Sequence, residues 1–229
     1  KAGIFRADLS AGGGQEFVFN NQGSLKLSDA VFTTVTGQLI NNGAGGALEI
    51  NGAKLEYEGQ EAGAPDKIPL IRTNGAAAIT DSRIELGSEC IAVEAGDPTS
   101  AGSSVSVGEQ SVTVSGSMIT AGENSNLFQA RSGNLIEISS STLNVGPQGH
   151  GIDLNAAADN TVTISGSIIN VKQQGSAVYG TALESENTVT ISSTELNITE
   201  DSYGVYAEKV DNLNITMKNS HIRDEEVQD

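Results

Sequence analysis

A ten-residue pattern of apolar and polar positions recurs along this 229-residue chain. Its clearest copies are VTVSGSMITA, IEISSSTLNV, VTISGSIINV and VTISSTELNI, which begin at Val112, Ile136, Val162 and Val189. The starting residues are 24, 26 and 27 positions apart. Self-similarity at a period of this size is the sequence signature of a stacked-repeat architecture.

Each copy of the pattern predicts two short strands that meet at a bend. Apolar and polar residues alternate in 162–164 (VTI) and again in 169–171 (INV), as in a strand with one buried face. The small residues 165–167 (SGS) between them favour a turn. A second apolar phrase, such as 177–180 (AVYG), follows each copy and supplies a third strand. Three such strands suit one triangular coil, which stacks on its neighbours with its strands in parallel.

The fold predicted from this pattern is all-β, a right-handed, single-stranded parallel β-helix of about eight coils. Weaker copies begin at Leu25, Leu48 and Ala77, and a last copy lies near 213–222 with a register that is ambiguous by one residue. The competing architecture is an antiparallel sandwich, which does not require a repeat in every coil. No linker divides the repeats, so we expect one domain over 1–229, with an N-terminal capping region at 1–24 and an acidic tail at 223–229.

Equivalent positions of stacked coils should form columns of like residues. Stiff β-branched side chains pack well on a pleated surface. The predicted inward column contains Leu27, Ile50, Ile79, Val114, Ile138, Ile164 and Ile191. Asn144, Asn170 and Asn197 align between apolar positions and predict an outward amide ladder.

Two insertions, at 59–68 and 95–111, interrupt the period. Insertions in solenoids map to loops that leave the stack intact, and loops on rigid scaffolds often carry recognition. Six residues of the insertions are therefore candidate partner contacts, with tolerated surface excursions as the alternative interpretation. They are Glu61, Asp66, Lys67, Asp97, Pro98 and Glu109.

The formal net charge of −17 disfavours nucleic acid and anionic lipid as partners, because both need a basic surface. A high negative charge most simply keeps an extended surface soluble, although a partner with a basic face stays open. No apolar run reaches membrane-spanning length, so we expect no membrane insertion by this segment. The chain opens without the basic and apolar regions of a signal peptide, so an exported form would be a processed fragment.

Candidate chemistry is sparse. The single cysteine, Cys90, excludes an intramolecular disulfide, and we align it with Gly151 and Ala177 as a small buried thiol. Residues 149–151 (GHG) copy a short motif of polygalacturonase-type hydrolases, but the paired carboxylates that glycosidic cleavage needs are absent. We therefore expect no enzyme, no cofactor and no metal site, and interpret His150 as a turn residue.

Aromatic residues suggest one further feature of the surface. Tyr179 and Tyr206 align in neighbouring coils and should face outward, because they alternate with the inward Val178 and Val205. The two interpretations are a cross-strand stacked pair and a ligand platform.

The phrase at 160–171 (NTVTISGSIINV), the motif at 176–180 (SAVYG) and the acidic, cysteine-poor composition resemble the passenger domains of bacterial autotransporters, with pertactin-like β-helical passengers as the nearest type. The resemblance extends from about Leu25 to Ile222. It implies type V secretion through a C-terminal β-barrel, and a secreted or surface location. With the insertions, it leads us to expect a non-enzymatic, monomeric adhesin or virulence effector that binds a host cell-surface or matrix protein. Self-association into a biofilm rod is the alternative, and a carbohydrate-active enzyme is a third.

Overall fold

The computed structural model describes residues 3–7, 17–34, 38–64, 66–96, 110–154, 157–181, 186–208 and 213–225. These residues form 25 β-strands in three parallel sheets, which we name A, B and C. Consecutive strands of the chain enter the three sheets in rotation, so three strands complete one coil.

The three sheets contain nine, eight and eight strands. Sheet A consists of β1 (Gly3–Ala7), β4 (Ala30–Thr34), β7 (Lys54–Gly59), β10 (Arg83–Ser88), β13 (Met118–Thr120), β16 (Thr142–Val145), β19 (Ile168–Val171), β22 (Glu195–Thr199) and β25 (His221–Glu225). Sheet B consists of β2 (Phe17–Asn21), β5 (Gln38–Asn42), β8 (Ile68–Thr73), β11 (Cys90–Ala95), β14 (Asn126–Ala130), β17 (His150–Asp153), β20 (Ser176–Thr181) and β23 (Tyr203–Glu208). Sheet C consists of β3 (Ser24–Ser28), β6 (Ala47–Asn51), β9 (Ala76–Thr80), β12 (Ser111–Ser115), β15 (Leu135–Ser139), β18 (Thr161–Ser165), β21 (Asn187–Ser192) and β24 (Leu213–Lys218).

The predicted parallel β-helix is confirmed. Strands pair in parallel with their equivalents one coil away, as β18 does with β15 and β21. Eight strands in a sheet define seven steps between coils, which at roughly 4.8 Å each give a rod about 34 Å long. Strands β1 and β2 lie within the segment expected as an N-terminal cap, and β25 includes Arg223 of the expected tail.

The predicted inward column is confirmed residue by residue. Leu27 pairs in register with Ile50, and the column continues through each of the seven expected residues. Leu27 is 7% exposed, and the other six are at most 1% exposed. The column extends to Met217 in the last coil, which is 38% exposed. Stacked aliphatic side chains therefore form the core along most of the rod.

The register of the last copy needs a correction. Val189 pairs with Ile215, so this copy begins at Ile215 and not at Leu213. A shift of two residues keeps the same side chains directed inward, because side chains alternate with a period of two. The hydrophobic pattern alone cannot detect such an even shift.

A ladder of hydroxyl groups lines the bend between sheets C and A. Ser141 Oγ donates to the carbonyl of Ser139 at 2.7 Å and accepts the N–H of Ser117 at 3.2 Å. Ser167 Oγ likewise donates to the carbonyl of Ser165 and accepts the N–H of Ser141. Each hydroxyl thus pairs backbone groups that the sheets leave free at the corner.

The residue at the start of each of these bends has left-handed backbone geometry. Its φ lies between 48° and 61° at Asp29, Gly52, Asp81, Gly116, Ser140, Gly166, Ser193 and Asn219. Glycine, asparagine and aspartate tolerate this conformation best, which explains the residue types at most of these positions.

The described residues include the predicted amide ladder and a second, buried ladder that was not predicted. In the predicted outward ladder, Asn170 Nδ2 donates to Asn144 Oδ1 at 2.7 Å, and Asn197 Nδ2 donates to Asn170 Oδ1 at 2.8 Å. These three side chains are half-buried.

The second ladder, of Asn134, Asn160 and Asn187, is buried at the bend between sheets B and C. Asn160 Oδ1 accepts from the backbone N of Asn134 at 2.9 Å and from its Nδ2 at 3.2 Å. Asn160 Nδ2 donates to the carbonyl of Arg131 at 2.6 Å and to Asn187 Oδ1 at 2.9 Å. This amide therefore satisfies main-chain groups that no strand pairs.

The difference in burial predicts different costs for losing the two ladders. Asn160→Ala should lower the free energy of unfolding by roughly 2–4 kcal/mol, because it leaves buried donors and acceptors without partners. Asn170→Ala should cost about 1 kcal/mol or less, because water can replace its partner. Urea unfolding followed by circular dichroism measures both. Equal losses of unfolding free energy in the two variants would contradict the structural role given to the buried ladder.

Candidate functional site

The outer surface of sheet B differs in chemistry from that of sheet C. One outward column of sheet C reads Glu49, Ala78, Thr113, Glu137, Thr163, Thr190 and Thr216. The matching column of sheet B reads Asn41, Arg72, Glu94, Gln129, Asp153, Tyr179 and Tyr206. Charged, amide and aromatic groups offer more specific contacts than a threonine ladder. We call the outward side chains of sheet B, from β5 to β23, the B face.

The first insertion packs on the bend before β11, and its last part contacts sheet B beside the B face. Gln60 Nε2 donates to the carbonyl of Glu89 at 2.7 Å, and the N–H of Gly63 donates to Glu89 Oε1 at 3.4 Å. Lys67 Nζ donates to Asn126 Oδ1 at 3.3 Å, which spans two coils from the start of β8 to β14. Burial lowers the pKa of Lys67, and the carboxylates of Asp153 and Glu89 oppose this shift.

The structure separates the predicted contact residues. Glu61 and Asp66 are exposed on the loop, whereas Lys67 is half-buried and bonded to sheet B. Asp97, Pro98 and Glu109 of the second insertion lie outside the described residues. A partner that approaches the first loop would therefore meet two exposed carboxylates, whereas Lys67 contacts Asn126.

Two acidic side chains of the B face are held by neighbouring coils. Glu94, with 2% of its side chain exposed, accepts from Arg72 Nε at 2.7 Å and from Arg131 Nη2 at 2.6 Å. Asp153 Oδ2 accepts from Asn126 Nδ2 at 2.7 Å. Paired in this way, buried carboxylates fix the positions of their donors.

An aromatic stack occupies the C-terminal part of the B face. The rings of His150 and Tyr179 lie 4.0 Å apart and 9° from parallel, and those of Tyr179 and Tyr206 lie 5.4 Å apart and 7° from parallel. Tyr203 meets Tyr206 at 65°, with centroids 5.1 Å apart. The prediction that Tyr179 and Tyr206 face outward as a stacked pair is confirmed.

The interpretation of His150 as a turn residue was wrong. His150 is the first residue of β17, and its Nδ1 lies 2.8 Å from Ser176 Oγ. Burial lowers the pKa of His150 to about 4, and the positive charge of Lys67 adds to the shift. The imidazole is therefore neutral near pH 7.

A pocket of about 190 Å³ lies beside the stack. Its lining consists of His150, Gln174, Ser176, Tyr179, Tyr203 and Tyr206. His150, Ser176 and Tyr203 occupy one register column, so the small serine leaves space between two rings. Sequence reasoning missed this column, although its members are 26 and 27 residues apart, as the repeats are.

Cys90 is a structural thiol, as expected. It is fully buried, its Sγ donates to the carbonyl of Ser88 at 2.9 Å, and burial raises its pKa to about 12. A thiol with so high a pKa is a poor nucleophile. The strand register places Ala92, and not Cys90, in the column of Gly151 and Ala177, which corrects the sequence alignment.

In the described part of the chain, no three His, Cys, Asp or Glu side chains cluster as metal ligands would. None of the described residues belongs to a helix with the length and apolarity that a membrane span requires.

The sequence matches no protein-family model and no curated protein. Among solved structures, the chain is similar to HetL, a pentapeptide repeat protein involved in the regulation of heterocyst differentiation, from the cyanobacterium Nostoc sp.. The two are 11% identical, the match covers 87% of this chain and 88% of the other, and the TM-score is 0.15. Similarity at this level carries no argument about function.

The low pKa of His150 predicts a pH-dependent stability. The unfolded histidine takes up a proton as the pH falls below 6.5, and the folded one only near 4. The contribution of His150 to the free energy of unfolding is therefore fully present above pH 6.5 and is lost as the pH falls towards 4, by up to roughly 3 kcal/mol.

Urea unfolding across this pH range should show a smaller pH dependence for His150→Gln than for the wild type. The exposed His221 supplies the matched control, His221→Gln, which should keep the wild-type dependence. The same pH profile in all three proteins would refute a buried, neutral His150.

Proposed function

We propose that this chain is a non-enzymatic recognition rod, part of a secreted or surface-exposed passenger of the autotransporter type, which binds a host cell-surface or matrix protein. The observation that carries the proposal is the first insertion, which contacts sheet B beside the B face. It brings an irregular loop beside a face of the rod that combines charged, amide and aromatic groups.

The loop offers a contact surface that is held in place before binding. Its ends continue into β7 and β8, which pair with β10 and β11 in the next coil. Gln60 also anchors the loop to Glu89 in that coil. A contact surface fixed in this way loses little conformational entropy when a partner binds.

Charge favours a basic partner. The chain has a formal net charge of −17, and Glu61 and Asp66 are exposed on the loop. Complementary charge speeds association and disfavours partners of the same sign. Repulsion between two rods of the same negative charge disfavours self-association at low salt.

The side chains of the B face suit a binding role better than a catalytic one. General acid–base hydrolysis of a glycoside needs two carboxylates on either side of the scissile bond, and at least one must exchange a proton. Glu94 is bound by two guanidinium groups, and Asp153 accepts from an amide. His150 stacks on Tyr179 and contacts Ser176, so these groups already have structural partners.

The proposed export is supported by features of the whole chain. Its single cysteine is buried and has a raised pKa, which suits an oxidising compartment. Each coil pairs mainly with its neighbours, so coils can fold one after another as the chain emerges.

Charge reversal on the loop tests the proposed contact. Glu61→Lys should weaken binding of the labelled protein to host cells by about fivefold or more, mainly through slower association, because it removes attraction to a basic partner. Flow cytometry at low and at physiological salt measures the effect.

The control variant is Glu137→Lys, which makes the same charge change at an exposed position of sheet C. It should bind like the wild type. Equal losses in both variants would indicate attraction to total charge, and unchanged binding of Glu61→Lys would remove the loop from the contact. Light scattering of the same samples should show monomers, and larger species would favour self-association.

A further inference from the structure

The pocket beside the aromatic stack is a second feature of the B face, which the proposed receptor contact does not use. Tyr203 and Tyr206 meet edge to face at 65°, and both rings line this concave corner of the surface. Tyr203 is 47% exposed, which leaves this corner accessible to solvent. Ser176, which is 1% exposed, lies in register between His150 and Tyr203 and provides the space.

The size and lining of the pocket indicate a small ligand with few hydrogen bonds. Its volume of about 190 Å³ is below the roughly 300–1,000 Å³ of sites for drug-sized molecules. Gln174 and Ser176 are its non-aromatic lining residues, and Ser176 Oγ already contacts His150 Nδ1. A sugar would rely on Gln174, the tyrosine hydroxyl groups and the second ring nitrogen of His150 for its hydrogen bonds here.

The electrostatics of the pocket favour a cation. Tyrosine faces are negative and attract a cation within about 6 Å of the ring centroid. The carboxylate of Glu208 lies close enough to raise the pKa of Tyr206, and the low pKa of His150 keeps the imidazole uncharged. The positive charge of Lys67 reaches His150, but the carboxylates of Asp153 and Glu89 lie close enough to Lys67 to offset part of that charge.

A quaternary ammonium suits these walls better than a lysine or arginine side chain does. A lysine ammonium has three N–H donors and a guanidinium has five, and each loses water on entering a site whose walls are mainly aromatic rings. A trimethylammonium group has no N–H donor, so aromatic faces can replace its water without leaving a donor unpaired.

We propose that the pocket formed by His150, Ser176, Tyr179, Tyr203 and Tyr206 binds a trimethylammonium group. The group belongs either to a free choline-type solute or to the head group of a choline lipid. This site is distinct from the loop contact proposed above, so either can fail while the other stands.

Titration of the isotopically labelled chain with choline chloride, followed by NMR, tests the site. Choline should produce saturable shifts at amides of β20 and β23. Dimethylbutanol, the uncharged carbon isostere of choline, should bind at least about tenfold more weakly, because it lacks the charge that the ring faces attract.

Two variants of the exposed Tyr203 separate the ring from its hydroxyl group. Tyr203→Leu should weaken choline binding by about tenfold, whereas Tyr203→Phe keeps the ring face and should stay within about twofold of the wild type. Both should keep the wild-type β-sheet circular dichroism. The proposal is overturned by the absence of saturable shifts, by equal binding of the uncharged isostere, or by unchanged affinity of Tyr203→Leu.

Vesicles identify the source of the ligand. Flotation with phosphatidylcholine vesicles that depends on the Tyr203 ring, and is absent with phosphatidylglycerol vesicles, supports a lipid head group. Choline binding in solution without flotation supports a free solute. Flotation that is equal for wild type and Tyr203→Leu overturns a role for the pocket in lipid binding.

Discussion

Parallel pairing of each strand with its equivalent one coil away is the constraint on which the rest of this structure depends. Backbone hydrogen bonds hold neighbouring coils at roughly 4.8 Å, so side chains at equivalent positions must stack directly on one another. Inward positions therefore become aliphatic columns, such as that of Ile138, Ile164 and Ile191. Corner positions become hydroxyl or amide ladders, because only self-complementary polar groups can repeat at that spacing without leaving donors unpaired.

The same stacking rule explains how a regular rod acquires a distinctive surface. Outward columns have no core to fill, so their residues are free to vary from coil to coil. Sheet C uses that freedom little, whereas the B face combines guanidinium, carboxylate, amide and aromatic groups in one column. Where a second column of sheet B changes in side-chain size, as at Ser176 between His150 and Tyr203, the surface opens into a pocket.

Polar residues in the corners show the limit of what the alternation of apolar and polar residues can predict. Asn170 stands between apolar positions of a strand, so its outward ladder could be predicted. Asn160 precedes a strand, where an asparagine is equally typical of an exposed turn, yet it is 1% exposed and bonds two neighbouring coils. Burial of a corner depends on how closely two sheets approach, and alternation within one strand does not report that distance.

By itself, the sequence determined the strands, the bends, the parallel stacking and the inward columns, because these follow from a local period of two repeated about every 26 residues. Only the tertiary structure decided that Lys67 reaches Asn126 and that His150 stacks on Tyr179. These contacts join outward side chains of different coils. No burial pattern constrains such side chains, so their directions and partners are set when the coils come together.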